Sequence, residues 1–478
     1  MSDNFRTLRE KLDDRITTDP FECSFYTRDL ASVPSIMTKV LFNTSPDSVV
    51  MPMNTEDVVE IVKFAKENNY PIIPRAAATS AYMNTVPIKG GIVVDLNSMR
   101  GVLNIDDDYL QVEVWCATPW QELERHLNSH DLALCNYPSS AVSATVGGWF
   151  NTEGFGIGSA KYGNFHDLVE AAEIVLPNGE VITSTRNGEY PLSWFLGKEG
   201  TVGIVTKVKF KIRKKPTHEV NLSVAFASIE KAAQAMTQLT NTSLKPYNIH
   251  FTDKDFYFMQ EQIGFSPSIL DRHVITATYH EDTDVLNEVT EILKDIANKY
   301  DGVLLPQVVG DSEWDDRLYA LRLKRGGPTM LAAEVILSLD ELNSFYEEVK
   351  TLNQGTAVYG YSMGSDKMNI LIQYYADDSK VLEYLFLLPK TQRIYNAALK
   401  FGGRPYGIGV WNSVYIKKAY SKEVLAERNA IKQKLDPSDL MNPGKYYSPP
   451  FLLNPIIFNL GSSSANLLSS IFGIGKGR

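Results

Sequence analysis

The sequence predicts an α+β protein with two main domains, and three observations carry that expectation. The chain has 478 residues, 44% of them hydrophobic and 22% charged, which is ordinary globular composition but too long for one core. Residues 46–215 mix short apolar strand patterns with helices, and glycines mark the turns. At Pro216 the texture changes: to about residue 404, strands alternate with longer amphipathic helices, and glycine is sparse between 220 and 300.

In chain order, residues 1–45 form an N-terminal segment with one or two helical patterns. Thr55 reads as a helix cap, followed by acids at 56 and 57 and by apolar Val58, Val59, Ile61, Val62 and Ala65; Asn68 and Asn69 end that helix. Strands are expected at 70–74, 92–96, 110–114, 173–177 and 203–212, and a helix at 120–129. In the second domain, helices are expected at 227–239, 285–299, 339–352 and 380–388. A final helix, 422–435, precedes Asp-Pro and Asn-Pro-Gly turns.

Composition removes several function classes. A net charge of −10 without a Lys/Arg stripe argues against nucleic acid, and the Lys211, Arg213, Lys214, Lys215 cluster reads as a solvated strand end. Cys23, Cys116 and Cys135 are far apart and form no C-x-x-C pair, so neither a disulfide framework nor a zinc or iron–sulfur site is expected, and a reducing cytoplasm fits. Met1 to Pro20 lacks the apolar stretch of a signal peptide, and no apolar run is long enough to span a bilayer.

Four loops in the first domain share one chemistry. The first is Pro74, Arg75, Ala76, Ala77, Ala78, Thr79, Ser80 and Ala81, tiny side chains with two hydroxyls after a strand. The second runs from Pro138 and Ser139 through Ser143, Ala144 and Thr145 to Gly147 and Gly148. The third is 153–158, leading to 161–163, and the fourth 197–206; within and beside them Asn151, Gly154, Tyr162, Gly200, Gly203, Ile204 and Val205 are the candidate contacts. Small residues let a backbone close on an anion, and successive N–H groups form anion-binding nests. Each alone reads as a turn between strands; four in one domain, three of them rich in small and hydroxyl residues, are harder to read that way. Gly154-x-Gly-x-Gly lacks the preceding strand and the spacing of a dinucleotide fingerprint, which argues against NAD.

These segments, with Ser45–Pro52, Trp314–Arg317 and the run Leu435 to Lys445, resemble the vanillyl-alcohol oxidase or p-cresol methylhydroxylase (PCMH) superfamily, nearest its glycolate oxidase and D-lactate dehydrogenase branch. The resemblance implies a PCMH-type FAD-binding domain at 46–215, an α+β substrate cap at 216–404 and a C-terminal segment, 405–447, that returns to the FAD domain. It implies that the Arg75–Ala81 loop and Ser143–Gly148 hold the FAD pyrophosphate, and that Gly203–Val205 contact the cofactor through backbone groups. The family's first loop carries glycines where this chain has Ala76 and Ala77; positive φ there would cost energy. Relatives with tethered flavin have a histidine where Thr79 stands, so non-covalent FAD is expected.

The resemblance also implies oxidation of a small alcohol or 2-hydroxy acid, its hydrogen passing to flavin N5. Hydroxy-acid members carry two histidine motifs, often with a divalent metal. Here Tyr361 stands at the first and Pro405 and Tyr406 at the second, so no metal is expected. Tyr361, Arg404 and Tyr406 would then meet over the flavin, a tyrosinate serving as base, and Arg317 matches a carboxylate-binding arginine. Arg317 reads equally as a surface helix arginine, and Tyr406 as an aromatic packed beside Gly407 and Gly409. Two rivals remain: a flavin-dependent transferase like alkylglycerone-phosphate synthase, and a flavin-binding subunit with a degenerate site. Electrons would pass to quinone, an iron–sulfur or electron-transfer protein, or oxygen. The apolar tail, 448–478, reads as self-packing, as a foot on a membrane surface, or as a partner-docking segment.

Overall fold

The computed structural model describes residues 4–34, 38, 42–152, 154–265, 271–352, 355–364 and 366–447. The tail at 448–478, and with it the three readings of its role, lies outside the described residues. Among the described residues, no helix is long and apolar enough to cross a membrane.

Three sheets organise the chain. In the first, β1 (Ile16–Thr17), β2 (Ser48–Val50), β3 (Ile72–Arg75) and β4 (Ile92–Asp95) lie in the order β1-β2-β4-β3, with β4 parallel to both β2 and β3. The helix Thr55–Asn68 connects β2 to β3 and buries Val58, Ile61, Val62 and Ala65, the stripe its spacing predicts. Its cap is Asn54, whose side chain accepts from Asp57 N; Thr55, expected at that place, is the first helical residue and donates its hydroxyl to Glu173 instead.

The second sheet comprises β5 (Val102–Asp106), β6 (Gln111–Trp115), β7 (Leu132–Leu134), β8 (Val169–Val175), β9 (Val181–Thr185) and β10 (Ile204–Lys214), in the order β5-β6-β10-β8-β9 with β7 pairing the far end of β10. Arg213 at the end of β10 is not solvated, as its basic cluster suggested. It donates to Leu134 O at 2.9 Å and to His280 Nδ1 at 2.8 Å, and lies 4.6 Å from the Tyr247 ring centre. His280 therefore presents its Nε2–H to Glu219. His250 is likewise engaged, facing Glu313.

The third sheet is antiparallel: β11 (His218–Phe226), β12 (Asn248–Thr252), β13 (His273–Glu281), β14 (Val303–Leu304), β15 (Thr329–Ser338), β16 (Ala357–Ser362), β17 (Lys367–Ala376) and β18 (Arg404–Pro405), ordered β14-β11-β13-β12-β16-β17-β15-β18. Alternation decides what each face does. Ala333, Val335, Leu337, Ile370, Ile372 and Tyr374 pack in one apolar core with the helices Ile229–Thr240, Leu286–Lys299, Leu342–Leu352 and Val381–Lys400. Their alternates, Ala332, Glu334, Asn369 and Leu371, turn to the opposite side. The helix expected to stop at Leu388 continues through Pro389 to Lys400, because Ile394, Tyr395, Ala397 and Ala398 are buried beyond it. Tertiary burial outweighs the local cost of the proline.

Candidate functional site

A cavity of about 650 Å³ opens where the polar face of the third sheet meets the loops of the first two. One wall is Pro74, Arg75, Ala76, Ala77, Ala78, Thr79, Ser80 and Ala81; a second is Pro138, Ser139, Ser143, Ala144, Thr145, Gly147, Gly148 and Asn151; a third is Gly200, Gly203, Ile204 and Val205. These segments, far apart in sequence, converge on one space. Residues 76–81 belong to neither helix nor strand, so no regular ladder consumes their amides. Positive φ falls on Ala78, at 52°, and not on Ala76 or Ala77. Asn151 ties two walls together, donating to Gly147 O at 2.8 Å and accepting from Gly200 N at 2.9 Å.

Two of the expected cofactor residues lie elsewhere. Gly154 is pressed against Phe165, 2.9 Å from the position a Cβ would take, and Phe155 lines the cavity instead. Tyr162 packs against Tyr247 and Arg213, outside the wall.

The C-terminal segment clamps the first loop. Ile72 N donates to Leu440 O at 2.9 Å and Asn442 N to Ile72 O at 2.7 Å, a bridge beside β3 just ahead of the small-residue loop. Asn442 Nδ2 reaches Asn84 O at 2.9 Å and Glu199 O at 2.8 Å, and Lys445 Nζ donates to Asn442 Oδ1. The Glu199 carboxylate accepts from the amides of Ile408 and Gly409, each at 3.0 Å to Oε1. Burial pushes the Glu199 carboxyl up to about 7 and the Lys445 ammonium down to about 7.

At the other end of the cavity, Tyr361 and Tyr406 both contribute to the wall. Burial pushes the Tyr361 phenol up to about 12, and burial together with the Glu334 charge raises Tyr406. The glycines near Tyr406 are there for Tyr82. A Cβ on Gly407 would fall 2.4 Å from its ring, and one on Gly409, where φ is 53°, would fall 2.1 Å from its carbonyl. Arg404 and Arg317 do not join this group. The Arg404 guanidinium faces Pro405 O and the Tyr420 hydroxyl. Arg317 lies behind the wall, stacked 4.2 Å from the Trp314 ring centre and bonded to Trp314 O and the Tyr137 hydroxyl.

The cavity brings in side chains that the sequence reading passed over. Glu334 accepts from Tyr82 OH and from Asn369 Nδ2, each at 2.8 Å. Arg322 is buried and lines the cavity. Its nearest carboxylates, Asp316 and Glu313, stand at 3.8 and 3.9 Å, its Nη1 donates to Tyr319 O at 3.4 Å, and its Nε has no hydrogen-bond partner among the described residues. A lone carboxylate in the apolar run 330–337 was a visible signal for Glu334. Tyr82, Asn369 and Arg322 carry none, since only tertiary folding gathers them. Among the described residues, no three His, Cys, Asp or Glu side chains are grouped to hold a metal ion.

The walls fit a dinucleotide. Free-running loop amides and the hydroxyls of Thr79, Ser139 and Ser143 suit two phosphates, and an apolar, partly aromatic end suits a ring system. An FAD binding domain family matches residues 46–185, and the C-terminal domain of FAD linked oxidases matches residues 215–446. The chain belongs to the FAD linked oxidase superfamily. Its cofactor is FAD and its class is that of FAD-linked oxidoreductases. Within the superfamily, it is similar to the glycolate oxidase subunit GlcD of Bacillus subtilis, at 26% identity over 85% of this chain and 90% of that one. It is also similar to the mitochondrial D-lactate dehydrogenase [cytochrome] of Arabidopsis thaliana, at 24% identity over 92% and 79%. Among solved structures, p-cresol methylhydroxylase shares the fold at TM-score 0.78 and 16% identity, covering 93% of this chain and 97% of that one. An alkyldihydroxyacetonephosphate synthase does so at 0.76 and 19%, covering 93% and 86%.

Proposed function

We propose that the protein oxidises a small 2-hydroxy acid at its CH–OH carbon, using FAD held without a covalent link. One observation carries the choice of an acid over a plain alcohol: Arg322, a buried guanidinium with an unpartnered Nε–H, lines the same cavity as the phenols of Tyr361 and Tyr406. A carboxylate brought there gains a charge-assisted bond that no protein group now makes. The relatives named for glycolate and D-lactate oxidation support the same substrate class.

FAD, when bound, supplies the two-electron acceptor. The small-residue loops bind its phosphates with amides and hydroxyls. Arg322 orients the substrate carboxylate, and Tyr361 and Tyr406 keep their protons and steady the substrate oxygen as donors. The tyrosinate role expected from sequence is set aside, because a phenol raised by burial holds its proton. Non-covalent attachment is supported by the cavity lining. It offers no histidine, and its cysteine, Cys116, is pushed by burial up to about 12 and is a poor nucleophile. An acceptor outside the chain, such as a quinone or an electron-transfer protein, takes the electrons on.

The test is anaerobic mixing of the FAD-bound protein with glycolate, D-lactate and longer 2-hydroxy acids beside matched uncharged alcohols. Bleaching of the oxidised flavin by an acid is expected, and Arg322→Lys should raise the KM for that acid roughly 100-fold, a loss of about 3 kcal/mol. An oxidised spectrum untouched by every acid overturns the reading in favour of a redox-silent role.

A further inference from the structure

We propose that Glu334 is the proton acceptor of this site, the carboxylate that takes the substrate's hydroxyl proton in a cavity that no histidine among the described residues lines. The proposal rests on the reading above and adds a catalytic residue to it.

Position comes first. Glu334 lies on the cavity face of β15, opposite Leu371 of β17, with the amide of Tyr406 donating to its carbonyl at 3.0 Å. Its side chain lines the cavity. Each carboxylate oxygen accepts one bond, Oε2 from Tyr82 and Oε1 from Asn369, both at 2.8 Å. A carboxylate has about four acceptor positions, so both oxygens can take another donor. The two existing bonds fix its rotamer and aim it into the cavity.

Chemistry comes second. The titratable groups facing Glu334 are all phenols: Tyr82 from the loop after β3, Tyr361 from β16, Tyr395 from the helix Val381–Lys400, and Tyr406 just after β18. Among the described residues no cation pairs with the carboxyl; Arg322, on the same cavity wall, lies toward Glu313 and Asp316 instead. Burial is the largest influence on it and raises it, while Asn369 and Tyr82 pull it back part of the way. A buried carboxylate without a cation is expensive to keep, and glutamine would serve both hydrogen bonds as well. Retaining the acid at a cavity wall fits a group that exchanges a proton. The surrounding phenols are held protonated, which leaves Glu334 as the acceptor.

The step balances. The substrate carbon gives up its hydrogen with both bonding electrons to oxidised FAD. The O–H bond breaks and its proton passes to Glu334. The electron pair of that bond becomes the second C=O bond, and the product is a 2-oxo acid. Tyr82 is a positioning residue, acting through the carboxylate it holds.

The test uses FAD-loaded wild type, Glu334→Gln and Glu334→Asp. For a 2-hydroxy acid that bleaches wild type, Glu334→Gln should slow anaerobic flavin reduction by roughly 100-fold or more, flatten its acid limb with pH, and leave FAD affinity within a few-fold. Reduction within threefold of wild type, with the same pH profile, overturns the proposal while the hydroxy-acid reading stands. Should no acid bleach wild type, the absorption of bound FAD is titrated with pH in both proteins. A transition present in wild type and absent from Glu334→Gln upholds the proton acceptor although the substrate reading falls; a transition shared by both refutes it. Should Glu334→Gln fail to load FAD, Glu334→Asp decides: a displaced pH midpoint in either measurement upholds the proposal, an unmoved one refutes it.

Discussion

At the scale of single residues, the first loop shows where an alanine-rich stretch turns its backbone over. Ala78 is the only residue of 76–81 with positive φ, at 52°. An L-residue there costs about 1–2 kcal/mol, and glycine gives back about 0.5–1 kcal/mol through the unfolded chain. Ala78→Gly should therefore stabilise the FAD-bound protein by roughly 0.5 kcal/mol. Ala76→Gly and Ala77→Gly should each destabilise it by about 0.4–1 kcal/mol. Urea unfolding at saturating FAD distinguishes the signs. The sequence led to the wrong alanines because it shows which side chains are small but not where the backbone turns over.

At the scale of elements, the turn 407–409 joins the sheet that carries the phenols to the loop that carries Tyr82. A side chain on Gly409 meets the Tyr82 carbonyl and sits at positive φ. Gly409→Ala should then cost at least about 2 kcal/mol and weaken FAD binding, read as a lower unfolding midpoint and a raised FAD dissociation constant. The sequence made the small-residue loops visible, and with them most of the wall built from 74–81, 138–151 and 200–205. It did not reveal which arginine faces inward. Arg317 and Arg322 lie five residues apart, in the separate short helical turns Asp316–Leu318 and Arg322–Gly326, and Arg317 stacks on Trp314 away from the cavity. Gly154 and Tyr162 belonged to the right segment but to its packed side.

At the scale of the molecule, the strand alternation and helix stripes were legible, and so was the two-part fold they build. The return of the C-terminal segment was implied by the family resemblance, but the register that sets residue 72 against residue 441 was not legible, because nothing local specifies it. That closure buries Lys445 beside Asp29 and Glu199. Burial lowers Lys445 from 10.5 to about 7, so between those values the unfolded chain binds a proton that the folded chain does not, and stability rises with pH. Glu199 is raised from 4.5 to about 7, so over that interval the folded chain holds the extra proton and stability falls as pH rises. The two produce a trough near neutrality. Chemical denaturation from pH 5 to 10 should show it in wild type and find it flattened in the Glu199→Gln, Lys445→Met double variant.

The bridge between Ile72 and Met441 has a consequence for biogenesis. The segment that clamps the loop at 74–81 leaves the ribosome some 360 residues after it, so a nascent chain carries that loop unclasped through most of its synthesis. Flavin capture is thereby tied to completion of the polypeptide, and chains truncated before residue 436 should emerge colourless even where their first sheets have folded.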